Sequence, residues 1–235
     1  MRSEVEQVRA DGNRTSVTTP GGTESYRYDQ LDQVTGVTYT DGTTANYGYD
    51  GDNLRVHATG TTAATGNLLY DRETDAAAPQ LIADANGAYT WTPAGQLSQQ
   101  TATATSYTLA DALGSTRALT DSSGTVTATV DYDVYGNVRN QTGTWGPQGY
   151  TAGIQTGSLV TLGERDLRTD IGQFLSTDPE QPGGNGITGW NQYTYVANNP
   201  TTYVDPTDSP RRVRRVDSLR GSVHGTSECV SDGAA

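Results

Sequence analysis

Three consecutive stretches decide the fold. They read Y-R-Y-D-Q-L-D-Q-V-T-G-V-T-Y-T-D-G-T-T-A-N (26–46), Y-G-Y-D-G-D-N-L-R-V-H-A-T-G-T-T-A-A-T-G-N (47–67) and L-L-Y-D-R-E-T-D-A-A-A-P-Q-L-I-A-D-A-N-G-A (68–88). The Tyr-Asp pairs fall at 28/29, 49/50 and 70/71, a spacing of 21 residues repeated twice. A fixed period of this length marks a repeat architecture whose units bury a continuous core only when stacked. Each unit reads as strand, turn, strand. Tyr26 and Tyr28 alternate and so share one face of a strand, with Val34, Val37 and Tyr39 on the return. Asp41-Gly42 is a hairpin turn, because Gly tolerates positive φ and Asp caps the turn.

The same Asp-x-x-Gly punctuation recurs at Asp84–Gly87, Asp111–Gly114, Asp121–Gly124 and Asp133–Gly136. Short Thr/Val/Tyr runs such as T-V-T-A-T-V-D-Y (125–132) lie between the turns, and no segment keeps a helical period with caps. The expected fold is all-β, built of stacked antiparallel hairpins.

Composition alone argues the other way. Ile, Leu, Val and Phe make up only about 15% of the 235 residues, and the net charge is −12. Such a chain defaults to disorder. The 14 Tyr overturn that default, because they are not scattered. Tyr has high strand propensity, and its ring buries area while its hydroxyl reaches water or a neighbouring backbone group.

Several function classes drop out. One Cys (Cys229) and two His (His57, His224) cannot form a disulfide framework or a Cys/His zinc site. No apolar run approaches the roughly 18 residues of a membrane span, and the N-terminus lacks the apolar core of a secretory signal. All 15 basic residues are Arg, and the acidic excess excludes nucleic-acid binding over the main body. G-N-G-I-T-G (184–189) fits a dinucleotide-binding pattern only in letters, since no strand precedes it; it reads as a loop. Asp50-Gly51-Asp52-Asn53 lacks the spacing of a calcium loop. No cofactor is expected.

The tandem Y-x-Y-D units resemble the YD repeats of RHS proteins and teneurins. D-A-L-G-S-T-R-A-L-T-D-S-S-G-T-V…Y-D-V-Y-G-N-V (111–138) is similar to the lead-in of the RHS-repeat-associated core domain. L-G-E-R-D-L-R-T-D-I-G-Q-F-L-S-T-D-P (162–179) and N-Q-Y-T-Y-V-A-N-N-P-T-T-Y-V-D-P (191–206) resemble the core itself. The resemblance implies repeats wound into a hollow shell, which in bacterial members encloses a variable C-terminal toxin or effector. It also implies a core domain that plugs one end and acts as an intramolecular aspartic protease. The organisation expected is a lead-in over 1–19, repeats over 20–140, core over 141–208 and a tail over 209–235.

Carried over residue by residue, the protease residues fall on Arg165, Asp178 and Asp205. Two close carboxylates share a proton, so that one can activate water while the other polarises the scissile carbonyl. The core stretch departs from the family pattern at three places. Asp166-Leu167-Arg168-Thr169 stands where aromatics and Asp-Pro are usual, Gln173 replaces an Arg, and Asp208-Ser209 replace Gly-Leu at the cleavage motif. The last change removes the side chain that would define the cut.

Three functions follow as alternatives: a structural piece of an encapsulating shell, a single-turnover autoprotease, or a cell-surface module whose Tyr-rich hairpins bind carbohydrate or protein. The partners expected are upstream repeats and a C-terminal effector. The start within a repeat array suggests a fragment or displaced cassette of a longer polymorphic-toxin gene, of a secreted or envelope-associated type. The basic tail, with five Arg against four acidic residues from Pro206 on, reads as a disordered terminus.

Overall fold

The structure is a computed structural model that describes residues 5–72, 79–178, 191–205 and 214–215. The motif at 184–189, the Asp208-Ser209 change, His224, Cys229 and most of the tail lie outside these residues. Among the described residues there is no α-helix, only strands, turns and two short 3-10 turns, at Tyr150–Ala152 and Val196–Asn198.

A seven-stranded antiparallel meander comes first. It runs β1 (Val5–Val8), β2 (Arg14–Thr19), β3 (Gly22–Tyr28), β4 (Val34–Thr38), β5 (Thr44–Tyr49), β6 (Arg55–Gly60) and β7 (Gly66–Asn67), each paired with the next. An eight-stranded meander follows: β8 (Leu69–Asp71), β9 (Gln80–Asp84), β10 (Gly87–Thr92), β11 (Gly95–Gln100), β12 (Thr105–Ala110), β13 (Thr116–Thr120), β14 (Val126–Tyr132) and β15 (Val138–Thr142). A four-stranded meander follows, of β16 (Ile154–Thr156), β17 (Leu159–Leu162), β18 (Arg165–Arg168) and β19 (Gln173–Phe174). The last pair is β20 (Tyr203–Val204) with β21 (Arg214–Arg215).

The Tyr-Asp pair has a local cause. In Tyr28-Asp29, the Asp29 Oδ1 accepts the amides of Leu31 and Gln33 at 2.9 and 3.0 Å. Asp50 holds Asp52 and Leu54 in the same way, Asp111 holds Leu113 and Ser115, and Asp133 holds Tyr135 and Asn137. Each carboxylate thus satisfies two turn amides that no ladder reaches. Gly136 ends one such turn at φ +88°, and a Cβ there would lie 2.4 Å from Cγ of Tyr150. Only Gly meets both demands.

The Tyr rings carry the packing. Tyr26 and Tyr47, one period apart, are buried opposite Val37 and Ala58. Leu68 takes the third position and is buried between the two large meanders. These side chains form one cluster with Val17, Val34, Leu81 and Tyr89, flanked by Tyr28, Tyr39, Tyr49 and Tyr70. Tyr28 donates to the Arg14 carbonyl at 2.7 Å and Tyr49 to the Val34 carbonyl at 2.8 Å, each reaching a strand earlier in the meander.

The four-stranded sheet lies on this tyrosine face. Leu159 of β17 and Leu175 join the repeat cluster, while Val160, Leu162, Leu167 and Phe174 join a second one with Tyr150, Tyr195 and Val196. The alternation within β17 and β18 divides the two faces. Leu159 and Thr161 pair with Arg168 and Asp166 on the repeat side, and Val160 and Leu162 pair with Leu167 and Arg165 on the other. All four residues of β18 are buried for that reason.

Two measurements check this account. Asp133→Ala removes two amide bonds and is expected to lower unfolding stability by roughly 1–2 kcal/mol. Asp131→Ala, which removes only an exposed pair with Arg117, should change it by less than about 1 kcal/mol. Urea unfolding reads both. The second concerns the phenols. Burial raises the pKa of Tyr26, Tyr28, Tyr39, Tyr47, Tyr49 and Tyr89, and pushes Tyr70 up to about 12. The folded state therefore holds the neutral phenol where an unfolded Tyr, ionising near pH ~10, does not. The resulting stability is complete below about pH 10 and is lost as the pH rises above it. Phenolate absorbance from these rings should appear together with loss of β circular dichroism, not before it.

Candidate functional site

Arg165 opens β18, and Asp178 follows β19 by four residues. The strand register brings them together: Arg165 Nη2 lies 3.0 Å from Asp178 Oδ2, with both side chains 5% exposed. The guanidinium stacks 3.8 Å from the centre of the Phe174 ring, and Phe174 pairs with Leu167 across the β18–β19 ladder. The segment after residue 190 closes the other side. The Gln192 carbonyl accepts the Asp178 amide at 3.0 Å and lies 3.5 Å from Arg165 Nη1, and the Tyr193 carbonyl accepts the Phe174 amide at 2.9 Å. Asp205 is a second buried carboxylate, directly after β20. Arg165 and Asp178 are thus in direct contact.

Burying a guanidinium and a carboxylate costs several kcal/mol per ion, which only close pairing and further hydrogen bonds offset. The pair is a fixed polar centre in an apolar wall of Phe174, Leu167 and Tyr195, whose rings meet edge to face at 5.8 Å for Phe174 and Tyr195. Chemically it holds a carboxylate in one orientation beside a permanent positive charge.

Three further arginines, which the sequence did not single out, join the four-stranded sheet to the repeats. Arg55 of β6 pairs with Asp166 of β18 at 2.8 Å, and both side chains are buried. Its Nη1 donates to Thr161 Oγ1 at 2.6 Å, its Nη2 to the Tyr49 hydroxyl at 2.9 Å, and it stacks 3.8 Å from the centre of the Tyr47 ring. Thr161 in turn donates to Asp166 Oδ1 at 2.7 Å. Burial works against the Arg55 charge, and Asp166, Tyr49 and Tyr47 together more than offset it, so the guanidinium is held above its ordinary range.

Arg168 of β18 reaches the opposite way, to Glu24 Oε2 of β3 at 2.6 Å and to the Tyr26 hydroxyl. Asp170 holds the other edge of its fork at 2.7 and 2.9 Å. Arg14 of β2 donates to the Phe174 carbonyl at 3.2 Å and to Gln173 Oε1, and stacks 4.4 Å from the Tyr193 ring centre. Its amide bonds to the Leu175 carbonyl at 3.0 Å. The signal for these links was present in the alternation of charge and Leu along Asp166-Leu167-Arg168. What it faced was not.

Of the other candidates, His57 makes an exposed contact with Asn67. Among the described residues no group of three or more His, Cys, Asp or Glu is placed to hold a metal, and no helix is long and apolar enough to cross a membrane.

A family model described as RHS Repeat matches residues 10–44, and one described as Teneurin YD-shell matches residues 88–201. A search of the curated proteins found no match. Among solved structures, the chain is similar to one in a TcdB2-TccC3-Cdc42 crystal structure, at a TM-score of 0.55 and 16% identity over 88% of this chain. It is also similar to one in a Photorhabdus luminescens Tc holotoxin pore with a mutation in TccC3, at a TM-score of 0.53 and 15% identity over 96% of this chain. The chain spans 13% of the length of each of these.

Truncating one member of the buried pair tests the geometry. Asp178→Ala removes the buried carboxylate that faces Arg165 and is expected to lower stability by roughly 3–5 kcal/mol in urea unfolding. Phe174→Leu, which removes the ring beneath the guanidinium, should cost less, about 1–2 kcal/mol.

Proposed function

We propose that this chain, an RHS/YD-repeat protein with a teneurin-like YD shell, serves as a wall-and-plug segment of a shell that encloses a C-terminal effector. The observation that carries this reading is the seating of the four-stranded sheet on the tyrosine face of the repeats. On this reading the repeats supply the wall, and the core stretch lies against it. The partners on this reading are further repeats of the same shell and the effector segment, in a secreted, bacterial toxin of the polymorphic type. The similar solved chains belong to Tc toxin complexes, which supports the assignment.

The pairing of Arg165 with Asp178 supports a second reading, a single-turnover aspartic autoprotease in which Asp205 is the other carboxylate. The charged member of the dyad would take a proton from water, and the protonated member would polarise the scissile carbonyl. The replacement of Gly-Leu by Asp208-Ser209 argues against turnover, so the scaffold role stands first. Glycan binding needs tyrosine rings on an open face. Tyr26, Tyr47 and Tyr89 are buried, and Tyr28, Tyr39, Tyr49 and Tyr70 pack against them.

Intact mass separates the readings. Wild type, Asp178→Asn and Asp205→Asn are purified side by side, with circular dichroism to confirm the β fold. Full-length mass for all three is the result expected of a scaffold. Loss of the tail near 206–212 in the wild type alone would make the chain an autoprotease instead.

A further inference from the structure

We propose that Arg55, Glu24, Asp166 and Arg168 form a charge key that fixes the register in which the four-stranded sheet docks on the repeat sheet. The surface it builds accepts one partner, the β17–β18 hairpin of this chain, in one position.

Charge polarity sets the register. Asp166 and Arg168 lie two residues apart on β18 and share the face turned to the repeats. The repeats meet them with opposite signs: Arg55 lies 2.8 Å from Asp166, and Glu24 lies 2.6 Å from Arg168. A slip of one residue would turn Leu167 to this face and both charges into the apolar cluster of Phe174 and Tyr195. A slip of two keeps the faces right, so the apolar pattern does not resist it. It would set Arg168 before Arg55 in one direction, or Asp166 before Glu24 in the other. Either juxtaposition buries like charges without compensation, which is a strong penalty.

Buried ion pairs add little net stability over well-packed apolar side chains, and their best-attested use is in choosing one register among several. The surroundings fit that use. The contacts around the key come from small or adaptable groups, Thr161 and the rings of Tyr26, Tyr47 and Tyr49. Asp170 aims Arg168 from its own strand end, so the key is preset before docking. One of the three places where the core stretch parts from the pattern it resembles supplies Asp166 and Arg168 to the key, and a second, Gln173, receives Arg14. This core stretch is therefore matched to these repeats.

Charge exchange in the full-length chain tests the proposal. Arg55→Asp, Asp166→Arg, Glu24→Arg and Arg168→Glu are each expected to lower the urea midpoint by about 1 M or more. The across-interface exchanges, Arg55→Asp with Asp166→Arg and Glu24→Arg with Arg168→Glu, should recover at least half of the summed loss. The interchange along β18 alone, Asp166→Arg with Arg168→Asp, keeps composition and net charge but reverses the key. It should lose the near-ultraviolet circular dichroism of the tyrosines or unfold earlier than either single variant. The proposal is overturned if neither exchange does better than additivity, or if the interchange along β18 unfolds at the wild-type midpoint with an unchanged aromatic spectrum.

Discussion

The contact of Arg55 with Asp166, two residues 111 apart in sequence and on different meanders, is the interaction on which the rest of the arrangement depends. A guanidinium and a carboxylate that are both out of water tolerate only a narrow range of geometries. Once Arg55 is set between Tyr47, Tyr49, Thr161 and Asp166, β18 has one position over the repeats. That position aims Arg168 at Glu24 and turns Arg165 and Leu167 away, toward Phe174 and Asp178. The candidate centre and the interface are therefore two faces of a single four-residue strand.

Tyr makes this arrangement possible in a chain so poor in aliphatic residues. Its ring buries area as Leu or Phe would, while its hydroxyl provides a partner for buried charge or for a neighbouring strand's carbonyl. Tyr49 does both, stacking near Arg55 and accepting from it while donating to Val34. Tyr26 does the same between Glu24 and Arg168. A wall of Leu and Phe would have offered the arginines no hydroxyl to bond. The low aliphatic content and the buried charges are thus consequences of one choice of side chain, and a core of this kind is expected to be sensitive to high pH.

The turn-capping by Asp in the Tyr-Asp pairs is independent of all this. At Asp29, Asp50 and Asp133 one carboxylate oxygen accepts turn amides within four residues, and would do so in any register of the sheets. Local turn chemistry thus builds the meanders, and long-range charge pairing decides how they stack. The Arg165–Asp178 centre belongs to the second level, because the strands around residues 174–178 are closed by backbone bonds to Gln192 and Tyr193.

How much of this was legible in the sequence follows the same division. The 21-residue period, the alternation of Tyr26 with Tyr28, and the Asp-Gly turns specified an all-β chain of hairpins, because strand pairing between neighbours and turn capping are short-range effects. The likeness of 162–179 and 191–206 to a core domain pointed to Arg165, Asp178 and Asp205, and the fold places Arg165 on Asp178 and buries Asp205. Residues ahead of position 20 read only as a lead-in, although β1 and β2 extend the first sheet, since no Tyr-Asp pair marks them. Arg14, Arg55 and Arg168 could not be recognised from spacing. Their partners lie 159, 111 and 144 residues away, and no local pattern encodes what a strand will face after the sheets have stacked. Sequence by itself determined the hairpins, because their energetics are settled within about twenty residues. Only the tertiary structure decided which buried charges meet, because that depends on how one sheet lies across another.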